Sequence, residues 1–471
     1  MTTMLAFAVR RKEPVLLRPA TATPRETKLL SDIDDQAFLR RHVPSVFFYR
    51  GGGGGGHDDA GDNNRDPVAV IRRALGEALV PYYPLAGRLR EVDGGRLVVD
   101  CTGEGVWFTE ADADVRLADL EAARLRPPFP YIDQLLADVE GSSGMTNCPL
   151  LLIQVTRLLC GGFVLALRFN HTIFDANGQA QFMSAVAELG RGLPSPTISP
   201  AWSRELLRVQ KQNPPLKPAA SHHHDPTTTT KITRAPPPSS PDKMVLRTFT
   251  FHPHEIAAIK TRLPPRLRET ATTFEALTAA LWRARTVALD LPHDEQVSLL
   301  FYYNVRQVRE LGLPKGYYGN AVVFAAALTT AGELLRAGDS LLGDAVELIK
   351  SAKAAVTTGF VVRAAAADPF MSRARANNAF LVSDVRHAGL HAVDFGWGEP
   401  VYGGRADARH VVSFVFTAKD GCCGKNVVAM TIVLPPPAMD RFASEVNMLL
   451  TTPPPIAHQQ ASSPVPQQAR L

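Results

Sequence analysis

Two kinds of apolar periodicity alternate along the chain and together predict a mixed α/β protein. Short apolar runs, alternating or continuous, predict strands, and apolar residues at helical spacing predict helices. The predicted strands cover residues 9–17, 96–100, 105–109, 150–156, 163–169, 245–251, 297–303, 320–328, 378–383, 411–416 and 427–434. The predicted helices cover residues 67–79, 179–189, 253–262 and 438–450, and others begin at residues 272, 334 and 344.

Segments with few large apolar residues divide this pattern into two halves. Residues 211–243 are rich in proline and threonine and include His222-His223-His224, which predicts a solvated linker and not a metal site. We therefore expect one domain over residues 1–210, a second over 244–452, and a disordered tail over 453–471. The glycine run within residues 51–66 predicts an exposed loop.

Length and composition fit an ordinary globular protein of two domains. The 471 residues are 45% apolar and 21% charged, with a net charge of +5. The scattered basic residues argue against nucleic acid as a partner. No apolar run approaches the roughly 20 residues of a membrane span, and no cleavable leader is evident. Five cysteines without metal-ligand spacing favour a reducing compartment and no bound metal.

A histidine and an aspartate follow the strand predicted at residues 163–169. His171 and Asp175 occupy a turn before a predicted helix, where an imidazole with a near-neutral pKa is suited to proton abstraction. Asp175 is expected to shape the turn and not to transfer protons. The alternative is a structural histidine beside a turn-forming aspartate, because this spacing is common.

A helix start in the second half is a candidate phosphate site. Thr272, Thr273 and Glu275 fit a capping box, and a helix N-terminus attracts anions. Several basic residues precede it: Lys260, Arg262, Arg266 and Arg268. An ordinary capped helix with solvated basic neighbours explains the same residues.

Two distant motifs together resemble the paired motifs of the plant BAHD acyltransferases, which depend on acyl-CoA. The first is His171-x-x-x-Asp175, and the second is Asp394-Phe395-Gly396-Trp397-Gly398. Further stretches are similar to the family in the same order, from near the start of the chain to its last third: Leu30-Ser31-Asp32-Ile33-Asp34, Tyr83-Pro84-Leu85-Ala86-Gly87-Arg88-Leu89, Tyr317-Tyr318-Gly319-Asn320 and Val401-Tyr402-Gly403-Gly404.

The resemblance implies a two-domain α/β fold like that of chloramphenicol acetyltransferase. Each domain would have a mixed β-sheet with flanking helices, and the active-site channel would run between the domains. Asp394 would pair with Arg306, and the Asp394–Gly398 loop would fix the domain geometry around the channel. Coenzyme A would bind against the second domain at Thr272, Thr273, Asn320 and Ser383. The resemblance also implies a monomer without a bound cofactor, with the acyl-CoA as co-substrate.

The expected reaction is direct acyl transfer from coenzyme A to an alcohol. No Gly-x-Ser-x-Gly elbow and no cysteine beside a histidine supports a covalent acyl-enzyme. His171 would deprotonate the alcohol, which then attacks the thioester carbonyl. Asp175 would complete the catalytic motif from its structural position.

The substrate prediction rests on similarity to one branch of the family. Three stretches resemble alcohol acyltransferases that join benzoyl-CoA and benzyl alcohol into benzyl benzoate: residues 101–106, 148–157 and 381–385. Family members that acylate shikimate-like acceptors often carry a Trp soon after the serine that matches Ser383. This chain reads Ser383-Asp384-Val385-Arg386, which favours a small or apolar alcohol. An amine acceptor, an acetyl or hydroxycinnamoyl donor, and a non-catalytic binding protein on the same scaffold stay open.

The last three residues predict a location. Ala469-Arg470-Leu471 resembles the C-terminal peroxisomal address whose prototype is Ser-Lys-Leu, and the preceding Pro, Gln and Ser-rich run would leave it accessible. We expect a peroxisomal enzyme, with the cytoplasm as the alternative, because a short tripeptide also occurs by chance.

Overall fold

The structure is a computed structural model of the 471-residue chain. It describes residues 5–52, 66–139, 144–208, 244–336, 342–366, 378–406, 412–421 and 423–451. The predicted linker, the predicted tail with its C-terminal tripeptide and most of the predicted glycine loop lie outside these ranges.

Sixteen strands are present in the described ranges. In chain order they are β1 Val9–Arg11, β2 Val15–Leu17, β3 Thr27–Leu29, β4 His42–Tyr49, β5 Arg88–Val92, β6 Arg96–Asp100, β7 Val106–Ala113, β8 Leu151–Leu158, β9 Phe163–Asn170, β10 Val245–Phe251, β11 Gln296–Asn304, β12 Val322–Thr330, β13 Ala379–Asp384, β14 Tyr402–Arg405, β15 Val412–Lys419 and β16 Asn426–Leu434.

Eleven α-helices accompany these strands in the same part of the chain. They are α1 Pro67–Ala78, α2 Leu117–Ala122, α3 Ile132–Leu135, α4 Ala176–Gly190, α5 Pro253–Thr261, α6 Pro265–Arg268, α7 Thr273–Leu289, α8 Ala331–Leu335, α9 Gly343–Ala354, α10 Thr358–Ala366 and α11 Pro436–Thr451. Short 3-10 turns connect several of them.

The first large sheet has the order β1-β7-β8-β9-β4-β14, with β2 also paired to β7. The pair β7 and β8 is parallel, whereas the pairs β8–β9 and β9–β4 are antiparallel. Helices α1 and α4 pack together against one face and bury their apolar sides in a shared core. Asp66 caps α1 because its carboxylate accepts hydrogen bonds from the Val68 and Ala69 amides.

The second large sheet has the order β10-β16-β15-β13-β11-β12. Its core is organised around α7, whose Trp282 is completely buried, and α11 packs beside that helix. A smaller sheet, β3-β6-β5, adjoins the first core. Both large sheets are mixed and carry flanking helices, as the resemblance implies.

One strand crosses from the second half of the chain into the first sheet. β14 pairs antiparallel with β4, in the register Tyr402↔Phe48 to Arg405↔Ser45. The residues before it also join the first core, since Leu390, Val393 and Phe395 are buried there. A single contiguous domain over residues 244–452 therefore does not describe this segment. The apolar pattern predicts burial but not which sheet receives it.

The predicted elements are present in the structure, two of them with different bounds. Several elements were not predicted: the strands β3, β4, β5 and β14 and the helices α2, α3, α6 and α10. The strand predicted at residues 9–17 is two short strands, β1 and β2, because residues 12–14 leave the ladder. The long helix predicted from Leu334 is instead α8, which begins at Ala331 and ends at Leu335. Thr330 caps α8 through the Glu333 amide, so the cap lies earlier than the apolar pattern predicts.

Phe395→Ala should lower the free energy of unfolding by about 3–5 kcal/mol, because a fully buried aromatic ring leaves a cavity. Hydrogen exchange monitored by mass spectrometry should show the loss of protection in β4 and β9. Phe442→Ala is the matched control, since that ring is equally buried in the second core and should deprotect β10 and β16. Loss of protection confined to β10 and β16 in the Phe395 variant would contradict the packing of this segment in the first core.

Candidate active site

The turn that carries His171 joins β9 to α4 and is fixed from within. Asn170 ends β9, and its side-chain oxygen accepts hydrogen bonds from the Thr172 amide at 3.2 Å and hydroxyl at 2.8 Å. Asp175 caps α4, because its carboxylate accepts from the Gly178 amide at 3.0 Å. These local bonds define residues 171–175, hereafter the His171 turn, between two rigid elements.

His171 is partly buried and held at three points. Its backbone amide donates to the Arg41 carbonyl at 2.9 Å, and its carbonyl accepts from the Asn320 side chain at 2.9 Å. Its Nδ1 lies 3.1 Å from the Phe174 carbonyl. Because a carbonyl can only accept, Nδ1 carries the proton of the neutral ring and Nε2 keeps a free lone pair.

The surroundings keep this imidazole neutral. Burial, followed by the positive charges of Arg405 and Arg41, lowers the pKa of His171 to about 4. The ring is therefore unprotonated at neutral pH. The same two arginines act on the Tyr302 hydroxyl, whose pKa burial raises to about 12. His171 and Tyr302 thus share one positively charged environment.

Asp175 forms an ion pair with Arg306 across the two halves of the chain. The two carboxylate oxygens lie 2.8 and 3.0 Å from the guanidinium nitrogens, and the Ala321 amide donates at 3.0 Å. Burial raises the pKa of the Asp175 carboxyl, but the Arg306 charge and these hydrogen bonds outweigh it and leave the pKa lowered. The carboxylate is thus occupied by structural partners, and positions the His171 turn.

The predicted pairing of Asp394 with Arg306 is therefore wrong. The Asp394 carboxylate instead accepts from the amides of Gly396 at 2.7 Å and Gly398 at 2.8 Å. Both glycines have positive φ, 101° and 84°, so the chain wraps around that carboxylate in a conformation that other residues rarely adopt. The Asp394–Gly398 loop is therefore held by hydrogen bonds between its own residues.

The Asp394–Gly398 loop lies far from His171. Trp397 packs against Phe163 at the start of β9, with ring centroids 5.2 Å apart, whereas His171 follows the end of that strand. Phe163 and Asn170 are seven residues apart on β9, and at about 3.3 Å per residue the two ends of the strand lie roughly 23 Å apart. Phe395 contacts Tyr49 in the first core and faces Gly190 at the far end of α4. The loop stabilises the scaffold at the opposite end of the β9–α4 unit.

Asn320 joins the two halves beside the His171 turn. It is 0% exposed, and its side-chain nitrogen donates to both Asp34, at 2.8 Å, and the His171 carbonyl. Its backbone amide also donates to Asp34, at 2.9 Å. Contrary to the prediction that Asn320 contacts coenzyme A, its fully buried side chain presents no surface to a ligand.

Thr272 and Thr273 lie at the start of α7, as predicted. Thr272 accepts from the Glu275 amide at 3.2 Å, and Glu275 accepts from the Thr272 amide at 2.9 Å, which completes the capping box. Glu275 is buried and pairs with Lys353 at 2.8 Å, with Lys350 3.7 Å away. Two lysines of α9 therefore stand next to this helix N-terminus, and they were not predicted from sequence.

Two of the four basic residues predicted upstream of α7 have other contacts. Arg266 pairs with Glu347 at 2.7 Å, and Arg268 donates to the Leu263 carbonyl at 2.8 Å. Lys350 and Lys353 of α9 therefore supply positive charge beside the α7 cap. Sequence spacing conceals this because α9 lies some 75 residues further along the chain.

Ser383 lies near the end of β13 and is partly buried, in register with Phe414 of β15. The next residue, Asp384, forms a close ion pair with Arg386, with Nε and Nη2 at 2.9 and 2.6 Å from its two oxygens. The stretch after Ser383, where a Trp is expected in family members that acylate shikimate-like acceptors, thus holds the ion pair between Asp384 and Arg386.

Sequence analysis missed Arg405 and Arg41, whose charges act on the imidazole, and Tyr302, on which the same charges act. Arg405 stacks on Phe414 at 4.6 Å from the ring centre, and Tyr302 packs on Phe324 with centroids 4.3 Å apart. Arg41 directly precedes β4. Their signal in the sequence is weak, since each is a single residue at the end or within the interior of an ordinary strand.

Within the described ranges, no group of three or more His, Cys, Asp or Glu side chains is arranged to hold a metal ion. None of the helices in that part of the chain combines the length and hydropathy needed to cross a bilayer.

Comparisons with known proteins agree with this architecture. Residues 7–449 match the model of the Transferase family. The chain is 46% identical over 455 residues to benzyl alcohol O-benzoyltransferase of Petunia hybrida, covering 95% of this chain and 94% of that one. It is 43% identical over 458 residues to (Z)-3-hexen-1-ol acetyltransferase of Arabidopsis thaliana, covering 95% and 96%.

Solved structures show the same fold at low sequence identity. Vinorine synthase is similar with a TM-score of 0.69 and 18% identity, covering 94% of this chain and 98% of that one. TRI101 of F. graminearum, complexed with coenzyme A and deoxynivalenol, has a TM-score of 0.62 and 15% identity, covering 89% and 97%. These comparisons confirm the predicted two-domain fold.

Arg306→Gln should lower the free energy of unfolding by about 3–5 kcal/mol at pH 8, because it leaves the buried Asp175 carboxylate without its counter-charge. Burial then raises the pKa of Asp175, so protonation favours the folded variant as the pH falls. The difference from wild type should therefore shrink between pH 8 and pH 5, measured by urea unfolding. Arg306→Lys is the control that keeps a charge. A difference independent of pH would contradict this account of the ion pair.

Proposed function

The chain belongs to the Transferase family, that of the BAHD acyltransferases, and from this we propose that it transfers benzoyl from benzoyl-CoA to benzyl alcohol with His171 as general base. The general activity is acyl-CoA-dependent acylation of an alcohol without a metal cofactor. It follows from membership of this family and from the alcohol acyltransferases that the chain resembles. The alternative of a non-catalytic binding protein is thereby set aside.

One observation carries the role of His171. Its Nδ1 is committed to the Phe174 carbonyl, and its ring is neutral, so Nε2 has a lone pair ready to accept a proton. In the proposed reaction Nε2 takes the proton of the alcohol while the alcohol oxygen bonds to the thioester carbon. Collapse of the tetrahedral intermediate breaks the carbon–sulfur bond, and the protonated imidazole returns the proton to the thiolate.

The positive surroundings support this chemistry in a second way. Burial, and after it the charges of Arg405 and Arg41, make His171 a weaker base, which alone would slow proton abstraction. The same charges favour negative charge that develops on nearby oxygen atoms in the transition state. A base with a low pKa is therefore compatible with alcohol activation here, because the two arginines that contribute to the low pKa also stabilise the product of deprotonation.

The donor side is proposed to lie at the N-terminus of α7. Thr272 and Thr273 stand there, with Lys350 and Lys353 beside the cap, and a helix N-terminus together with lysines favours phosphate. Ser383 lies on β13 of the second large sheet and is the other candidate contact for the donor. Two of the TRI101 structures with a similar fold are complexed with ethyl coenzyme A and with coenzyme A.

The proposed acceptor rests on relatives and on side-chain chemistry. The 46% identity to a benzyl alcohol O-benzoyltransferase favours an aromatic alcohol. Tyr302, which shares its two neighbouring arginines with His171, packs against Phe324. Phe324 also contacts Phe38, with ring centroids 5.6 Å apart, so three aromatic rings lie together in this region. Asp384 is paired with Arg386 and offers no isolated carboxylate for an amine.

His171→Ala should reduce kcat by at least about 100-fold, because a positioned general base typically contributes 10²–10⁴-fold. The melting temperature and the affinity for coenzyme A should change little. His254→Ala is the control, since that histidine is exposed on α5. Release of free thiol from benzoyl-CoA measures the rate, and a His171 variant that keeps most of its activity would contradict the mechanism.

Benzoyl-CoA with benzyl alcohol should rank at or near the top of a matrix of donors and acceptors. The donors are benzoyl-, acetyl-, hexanoyl- and p-coumaroyl-CoA, and the acceptors are benzyl alcohol, aliphatic alcohols, shikimate and a polyamine. Product formation by mass spectrometry gives kcat/KM for each pair. Preference for acetyl-CoA with an aliphatic alcohol would move the chain toward the hexenol acetyltransferase type, and exclusive use of shikimate or the amine would overturn the substrate proposal.

A further inference from the structure

We propose that Arg204 is a positioning residue that sets the His171 turn for catalysis. The inference deepens the proposed function, since it assumes that His171 is the reacting base. Arg204 begins a 3-10 turn, Arg204–Leu207, just before the predicted linker, and it is a buried side chain with 1% of its surface exposed. No sequence motif pointed to it.

Arg204 touches the His171 turn directly. Its Nη2 donates to the Ile173 carbonyl at 2.6 Å, in the middle of the turn. A charge-assisted hydrogen bond of this length is among the stronger ones in proteins. The guanidinium therefore holds the backbone two residues beyond the imidazole.

Arg204 also reaches the turn through a second route. Its Nε lies 3.2 Å from the Asp34 carboxylate, which is completely buried. Asp34 in turn accepts from both the backbone and the side chain of Asn320, and the Asn320 side chain donates to the His171 carbonyl. Two carbonyls of one turn, those of His171 and Ile173, are thus tied to the same guanidinium.

The guanidinium is confined by aromatic rings. Its carbon lies 4.4, 5.2 and 5.1 Å from the ring centres of Trp202, Tyr317 and Tyr318. A side chain on Gly319 would collide with it, because a Cβ built there would lie 1.1 Å from Nη1. The glycine leaves the space that the guanidinium occupies.

The ion pair between Arg204 and Asp34 is better explained by its effect on the geometry of the His171 turn than by a contribution to the stability of the fold. A buried ion pair costs desolvation and is often no more stabilising than apolar residues of the same volume. What the pair supplies is direction, since its planar fork joins Asp34 to a carbonyl of the turn. Lysine has a single ammonium group and cannot reproduce both contacts while lying flat between rings.

The test compares Arg204→Met and Arg204→Lys with Ile259→Ala in the full chain. Ile259 is fully buried in the second core, so its truncation destabilises the protein without touching the turn. Gly319→Ala is a second way to displace the guanidinium. For each variant, kcat and KM for benzoyl-CoA are measured well below the melting temperature and normalised to the folded fraction.

Arg204→Met should lower kcat by about 10- to 100-fold with KM for benzoyl-CoA nearly unchanged, because small misplacement of a reacting group costs rate before binding. Gly319→Ala should show the same division between kcat and KM. Arg204→Lys should recover part of the rate, since it keeps the charge opposite Asp34. Ile259→Ala should keep its kcat despite a lower melting temperature.

An Arg204→Met variant that loses stability yet keeps wild-type kcat in its folded fraction would overturn the inference. So would an equal loss of kcat in Ile259→Ala. Both outcomes are distinct from failure of the proposed function, in which His171→Ala itself keeps most of its activity. If Arg204→Met fails to fold, the Arg204→Lys and Gly319→Ala variants decide the question on the same readout.

Discussion

The ion pair between Asp175 and Arg306 is the constraint on which the arrangement of the site depends. Asp175 comes from the first half of the chain and caps α4, and Arg306 follows β11 in the second half. A buried carboxylate cannot stay ionised without such a partner. The local bonds of the His171 turn are therefore joined by contacts from Arg306, Asn320 and Ala321 only when both halves are docked, and the complete site belongs to the assembled fold.

The two motifs that identify the family serve different ends of one supersecondary unit. The His171 turn lies where β9 passes into α4, and the Asp394–Gly398 loop packs where β9 begins and α4 ends. A strand and a helix packed side by side transmit position along their length because neither bends easily. The two motifs thus hold opposite ends of the same β9–α4 unit.

Much of the fold follows from the sequence, and the contacts between distant segments do not. Local periodicity gives β8, β9, α4 and α7 because each carries its own apolar pattern and cap. The partner of Asp394 was predicted wrongly, since a carboxylate that accepts amides of its own loop leaves the same trace as one that meets an arginine. The positions of Arg204, Arg405 and Lys353 depend on how strands and helices meet, which a single sequence does not encode locally.

The pairing of β14 with β4 has a consequence for how the protein folds during its synthesis. β4 is complete once residue 49 has been synthesised, yet its partner β14 ends at residue 405. During the interval the nascent chain presents an open apolar edge, with Val46, Phe47 and Phe48 normally buried. The first sheet cannot finish folding on the ribosome before most of the chain has emerged, so a prematurely terminated chain that stops before β14 carries an unpaired edge available to other strands.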